Sequence, residues 1–319
     1  MSAFKKLTKA GSRLLNKKQD QYSVAGILAI GLAFLTIYFL LRGYAAYILM
    51  SMIAYILFAV SWGLLYNFSG QLSLGHAMPF GIGGFISAIV FVVFHLNPFL
   101  CAFIGALGGA GIGGSIGAST LKLKPAYQGI ALLVFSQIFY WLFLIWYGEE
   151  GISFGVYHGV IIASISQIFY FGLIILIISL LLLYFFEVSK LGLKFKAIKG
   201  DPVAAEAIGI SVIKYKIIIF YISSFFAALA GAFYALYTFH VDFSIFLVSN
   251  SFLPIAMSIV GGPSLFGTLF GAVLLDFLIQ TLPVYTSLAI TYLFYGIITI
   301  LVLRFAPGGI ESLIKRLLK

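Results

Sequence analysis

The chain has 319 residues, of which 62% are hydrophobic and only 9% charged, with a formal net charge of +10. No water-soluble domain of this size can hide so much apolar surface, so the composition excludes a soluble globular protein. Long apolar runs without period-two alternation exclude a membrane β-barrel and leave an all-α, polytopic membrane helix bundle.

Basic residues punctuate the apolar runs in groups. Lys5, Lys6, Lys9, Arg13, Lys17 and Lys18 precede the first run, which spans 24–41. That run is long for a signal-peptide core, and no small-residue cleavage site follows, so it reads as a retained helix. Runs at 44–65, 78–94 and 99–120 then lead to Lys122 and Lys124. Runs at 127–147 and 168–186 lead to a loop, 191–216, that carries Lys194, Lys196, Lys199, Lys214 and Lys216. Runs at 217–239, 245–260, 265–282 and 285–303 complete about ten spans, each near the length that crosses a bilayer, before Arg304, Lys315, Arg316 and Lys319. Even numbers of crossings reach the basic groups, and odd numbers reach poorly basic loops at Arg42, His95, Glu149-Glu150 and Asp242. The positive-inside rule therefore predicts cytoplasmic termini and a cytoplasmic 191–216 loop. The expected organisation is a basic N-terminal segment 1–23, a membrane domain 24–305 and a C-terminal tail 306–319. The bilayer accounts for this charge pattern, and no nucleic-acid partner is expected. The single cysteine, Cys101, excludes an intramolecular disulfide.

The polar stretch Tyr66-Asn67-Phe68-Ser69-Gly70-Gln71-Leu72-Ser73-Leu74-Gly75-His76-Ala77 lies between two apolar runs and carries no acidic or basic side chain other than His76. It is either an ordinary connecting turn or irregular backbone at membrane depth, which is tolerated only where protein buries it or a watery path runs beside it. Gly70 and Gly75 permit unusual backbone, and Gln71, Ser73 and His76 offer polar groups that would be costly against lipid. The 245–260 run, interrupted by Pro254 and ended by Gly261-Gly262-Pro263, is a second candidate break. Gly105, Gly109, Gly113 and Gly117 form a strip for close helix packing. The G-x-G-x-x-G spacing at Gly109, Gly111 and Gly114 lacks the strand and acid that a dinucleotide site needs. Asp276, deep in an apolar run, is either functional or a packing detail beside a polar cavity.

Within the basic loop, Asp201-Pro202 supplies a helix cap and a first-turn proline, and Gly209 a left-handed stop. A helix of about two turns is predicted between them. Ala204, Ala205 and Ile208 should share one shallow face suited to docking in a cleft.

Residues 197–210, Ala197-Ile198-Lys199-Gly200-Asp201-Pro202-Val203-Ala204-Ala205-Glu206-Ala207-Ile208-Gly209-Ile210, resemble the coupling segment of LivM-type permeases. Those are membrane subunits of bacterial and archaeal branched-chain amino acid ABC importers. Gly70-Gln71-Leu72-Ser73-Leu74-Gly75-His76-Ala77 resembles a second signature of that family. Val260-Gly261-Gly262 with Leu265-Phe266-Gly267 and Gly271-Ala272 resembles a third, and Phe305-Ala306-Pro307-Gly308-Gly309-Ile310 the usual ending. Lys199 stands where the family usually has arginine, Pro202 where an acidic or polar residue is commoner, and Glu150-Gly151-Ile152-Ser153-Phe154-Gly155 where it often shows T-G-G-x-x-G.

The resemblance implies an inner-membrane transport subunit for leucine, isoleucine or valine. Its implied partners are a second, LivH-type permease, LivG- and LivF-type ATPases that bind ATP and magnesium, and an extracytoplasmic substrate-binding protein. No cofactor is expected in this chain, and no Walker A, H-E-x-x-H or G-x-S-x-G pattern points to an enzyme. Candidate path residues are Gly70, Gln71, Ser73, Gly75, His76, Gly261 and Gly262, and candidate coupling residues are Asp201, Ala204, Ala205, Glu206 and Gly209. A urea or short-amide importer permease is the alternative within the class, and a proton-coupled carrier centred on Asp276 the alternative outside it.

Overall fold

The structure, a computed structural model, describes residues 23–40, 43–154, 156–157, 160–161, 163–306 and 308–317. The basic group from Lys5 to Lys18, Arg42, Gly155, His158, Pro307 and Lys319 lie outside the described residues. The helices run in chain order as α1 (Ser23–Leu40), α2 (Tyr44–Gly63), α3 (Ala77–Phe94), α4 (Pro98–Ser119), α5 (Pro125–Tyr147), α6 (Ile165–Val188) and α7 (Lys190–Gly200). They continue as α8 (Pro202–Ala207), α9 (Val212–Thr238), α10 (Val248–Gly261), α11 (Leu265–Thr281), α12 (Leu288–Phe305) and α13 (Gly309–Leu317).

Among the described residues, nine helices are long and apolar enough to cross a membrane, which makes this a multi-pass all-α membrane protein. The expected 245–260 crossing departs from the rest. A 3-10 turn, Phe243–Phe246, precedes α10, and α10 itself has 14 residues. At about 1.5 Å per residue it reaches ~21 Å, less than the ~30 Å hydrocarbon core.

Several helices start on the caps their sequences supply. Asn97 accepts the Phe99 amide ahead of Pro98 in α4, and Ser164 with Gln167 forms a reciprocal capping box on α6. The centre is α3, α4 and α9, where small residues let backbones touch. A side chain on Gly83 would strike the Ala228 backbone, and one on Gly231 would strike the Phe80 carbonyl. The Gly105–Gly117 strip faces the same junction: Gly105 abuts the Gly83 carbonyl, Gly113 abuts Pro79, and Gly117 abuts the Phe220 ring. Close packing therefore explains these glycines.

The bundle has a basic end and an opposite end. At the basic end α7 and its lysines meet the chain just after α2, and Gly309 of α13 packs on Gly262. At the opposite end two short strands pair antiparallel, β1 (Ile152–Ser153) with the strand His240–Val241, and the Tyr44 hydroxyl donates to the Gln280 carbonyl at 2.9 Å. A separate two-stranded ribbon joins Val156–Tyr157 to Val160–Ile161.

Candidate translocation path and coupling segment

Near the basic end, α2 loosens into a π-helical turn, Leu64–Phe68, before the helix stops. The Ser69 hydroxyl donates to the Leu65 carbonyl at 2.7 Å, and the Gly70 amide to the Tyr66 carbonyl at 3.0 Å. Gly70 then takes φ +69°, a left-handed conformation that glycine adopts without strain. From Gln71 to His76 the chain is irregular and turns back into the bundle, because α3 begins in the interior. The Ala77 amide donates to Ser251 Oγ, 3.2 Å away in the first turn of α10. Ser251 lies ten residues before Gly261, about 15 Å along the helix from the basic end. Two helix N-termini thus meet well inside the bundle, an arrangement that membrane proteins use around polar cargo.

Other elements satisfy the backbone of this re-entrant stretch. Trp62 Nε1 donates to the Ser73 carbonyl at 2.8 Å. His76 Nε2 sits 2.9 Å from Ser61 Oγ, whose own proton goes to the Phe58 carbonyl at 2.7 Å, so the imidazole donates to Ser61. Ser223 of α9 donates to the Ser61 carbonyl at 2.8 Å, and the His76 ring stacks on Phe58 at 5.5 Å. A Cβ on Gly75 would fall on the Leu132 backbone of α5. Gln71, Ser73 and His76 are each only 3% exposed, so they lie inside this chain's own fold. Gln71 differs from the other two, since neither its amide oxygen nor its amide nitrogen has a hydrogen-bond partner.

Lys199 joins this break to the basic loop. Its Nζ donates to the Asn67 carbonyl at 2.9 Å and lies 5.8 Å from the centre of the Tyr66 ring. Partial burial holds its pKa below the usual lysine value, because desolvation disfavours the charged form. Lys196 covers the Phe68 ring at 5.4 Å and pairs with Glu187 at 3.3 Å.

Beyond Lys199 the predicted short helix is present as α8. Asp201 Oδ1 accepts the amides of Val203 at 2.8 Å and Ala204 at 3.2 Å. Gly209 takes φ +83°, with its amide on the Glu206 carbonyl at 2.9 Å and that of Ile210 on the Ala205 carbonyl at 3.0 Å. This pair of bonds is the Schellman pattern of a left-handed helix stop. The expected docking face is not continuous. Ala205 is 2% exposed and packs inward against Ile198 and Val212, because this short helix must bury one side to hold its place. The outward apolar groups are Val203 and Ile208, at 76% and 74% exposed, beside exposed Ala204 and Glu206.

Gly261 and Gly262 form the tight turn between α10 and α11. A side chain on Gly261 would meet the Gly267 carbonyl, and Gly262 holds φ +125° beneath Glu311 and Gly309. A chain of hydrogen bonds connects this turn to the break after α2. Asn67 Nδ2 donates to Ser258 Oγ at 3.3 Å, Ser258 and Thr268 hydroxyls lie 3.3 Å apart, and Thr268 donates to the Gly262 carbonyl at 3.2 Å. A narrow cleft lies between Gly63, Asn67, Ser264 and Thr268. The structure therefore brings the two glycine-rich motifs together at the basic end through Asn67, Ser258 and Thr268. Sequence reasoning gave none of the three a role: Asn67 stood only as one member of the polar stretch, and single hydroxyls such as Ser258 and Thr268 in apolar runs give no periodic signal.

Asp276 is fully buried on α11. Ser51 Oγ donates to its Oδ1 at 3.1 Å, and Gln280 Nε2 donates to Ser51 Oγ at 2.5 Å.

The sequence is similar to known permeases. The "High-affinity branched-chain amino acid transport system permease protein LivM" of Salmonella typhimurium is 26% identical over 265 residues, covering 73% of this chain and 62% of that protein. The protein of the same name from Escherichia coli is 25% identical over 252 residues, covering 69% of this chain and 59% of that protein. A "Probable branched-chain amino acid transport permease protein LivM" of Methanocaldococcus jannaschii is 26% identical over 269 residues, with shares of 72% and 77%. The match thus spans about three fifths of the length of the two enterobacterial relatives. No solved structure matches the chain. A family model described as "Branched-chain amino acid transport system / permease component" matches residues 44–303, from α2 through most of α12. The chain belongs to that family of transport permeases.

Proposed function

We propose that this chain is one permease subunit of an ATP-driven importer for leucine, isoleucine and valine. The observation that carries the reading is the link from α8 to the break. A short helix, capped at both ends, presents Val203 and Ile208 to solvent, and Lys199 just before it grips the Asn67 carbonyl at the end of α2. An ATPase docked on Val203 and Ile208 would push α7 and α8 together, and Lys199 would carry that motion to the re-entrant stretch 70–76. Rigid-body rocking of the bundle then opens the route to alternate sides, and no covalent bond is made or broken in this chain.

The remaining subunits follow from this reading: a second permease completing the route, two ATPases that hold ATP and magnesium, and a binding protein on the far side that delivers substrate. The basic end is then cytoplasmic, with both termini and the 191–216 loop, and the membrane is the plasma membrane of a bacterium or archaeon. Gly70, Gln71, Ser73, Gly75 and His76, with Gly261 and Gly262, act as the hinge and wall of the route. Gln71, buried with an unsatisfied amide, is the group most suited to meet cargo.

The test is reconstitution of the chain with its four partner proteins in liposomes, followed by uptake of labelled leucine. ATP-dependent uptake that needs the binding protein supports the reading. Uptake by this chain without ATPases identifies a gradient-driven carrier instead, and uptake of urea but not leucine identifies the short-amide importer.

A further inference from the structure

Helices α2 and α11 meet at a carboxyl group that neither the break nor the coupling segment uses. Asp276 of α11 is 0% exposed, and Ser51 of α2 holds one of its oxygens, Oδ1. The other, Oδ2, is buried with no partner, and among the described residues no basic side chain pairs with the group. Tyr47 and Tyr55 stand one helical turn either side of Ser51 on the same face of α2. Tyr47 meets Tyr237 edge to face at 5.3 Å and stacks near Tyr44 at 6.3 Å. The Tyr44 hydroxyl reaches the Gln280 carbonyl one turn along from Asp276. Tyr44 and Tyr47, 55% and 39% exposed, thus lie over the site at the end of the bundle away from the lysines.

A carboxylate oxygen without a donor in an apolar bundle is costly unless the group takes up a proton or a cation meets it, and the amine probe below separates the two. One carboxylate and one hydroxyl are too few for a hard metal ion, which takes about six or more oxygen ligands. A primary ammonium fits better: it brings three N–H donors, and aromatic faces attract it. We propose that Asp276, walled by Tyr47, Tyr55 and Tyr237 and lidded by Tyr44, is an ammonium-binding subsite, closed in this structure, that receives the protonated amine of the cargo. The proposal rests on the transport reading above and adds where one end of a zwitterion is recognised.

The experiment uses the assembled complex in nanodiscs and two halves of leucine as probes. Isoamylamine keeps the ammonium and loses the carboxylate, and isocaproate does the reverse. Isoamylamine is expected to raise the thermal midpoint of the wild-type complex and isocaproate to leave it unchanged. Asp276→Asn should abolish the amine response and slow ATP-driven leucine uptake at least about tenfold, the effect of removing one partner of a buried charge pair. Equal response to both probes, or to neither, overturns the subsite. So does an amine response or an uptake rate that Asp276→Asn leaves intact. Should that variant fail to assemble, the contrast between the two probes on the wild-type complex still decides. Failure of the wild-type complex to import leucine counts against the transport reading alone, because the probe contrast is read without transport.

Discussion

The chain interrupts its helices in two very different ways. The segment around α8 closes that helix with its own neighbours: Asp201 caps one end, Gly209 stops the other, and every bond spans a few residues. The break after α2, residues 67–76, relies on partners far away in sequence or on other helices: Trp62, Ser61, Leu132 of α5 and Lys199 of α7. A break at the water surface can be finished locally, because solvent supplies whatever the caps leave unmet. A break inside the bundle has no such reserve, so the rest of the fold must satisfy it.

The sharpest way to expose this difference is to substitute a glycine in each break by valine. Gly75→Val would drive a side chain into the α5 backbone, where nothing can yield. Loss of folded protein is expected, read as absence of a monodisperse peak in detergent chromatography. At Gly209 an added Cβ meets no atom within 4 Å, so Gly209→Val pays chiefly for its left-handed backbone, about 1–2 kcal/mol. It should insert and purify normally while losing ATP-driven uptake. If Gly75→Val purifies as well as Gly209→Val, the contrast between the two breaks is wrong.

Smaller effects sharpen the same comparison. Trp62→Phe removes the donor to the Ser73 carbonyl and should cost about 1–3 kcal/mol, measured as a lowered thermal midpoint. Asp201→Ala removes a surface cap and should cost about 1 kcal/mol, confined to faster hydrogen exchange in α8. Lys199→Met keeps most of the stem but frees the Asn67 carbonyl at the boundary of the two regions. It should leave assembly intact while ATP hydrolysis proceeds with reduced uptake, and unchanged coupling would remove Lys199 from the pathway. Ile208→Asp should be the mildest for stability, within about 0.5 kcal/mol, because the side chain is 74% exposed. It should still weaken co-purification of the ATPases. Undiminished co-purification would show that α8 does not dock them.

What the sequence disclosed follows the same division. α8, its cap and its stop were readable because the residues responsible are adjacent, and the glycine strip of α4 was readable because helical spacing places it on one face. The inward turn of Ala205 was not, because a short helix has no periodicity to tell which side meets α7 and α9. The polar stretch 66–77 was visible as an anomaly, yet its satisfaction by Trp62 and Ser61 depends on how α2 meets the returning chain. Ser258 and Thr268 were invisible for a related reason: each is unremarkable alone and, like Asn67 within the polar stretch, acquires a role only when α2, α10 and α11 converge.

The length of α10 also bears on how the protein is made. With 14 residues, interrupted by Pro254, it is below the length at which an apolar segment enters a bilayer by itself. Its partner α11 has 17 residues and joins it through the turn at Gly261 and Gly262, and Gly271 seats directly against the Met257 carbonyl. The two helices are therefore expected to leave the insertion machinery as one hairpin, with α10 waiting at the membrane until α11 has been synthesised. A nascent chain ending between them should leave α10 accessible to water, and one extended past Thr281 should bury it.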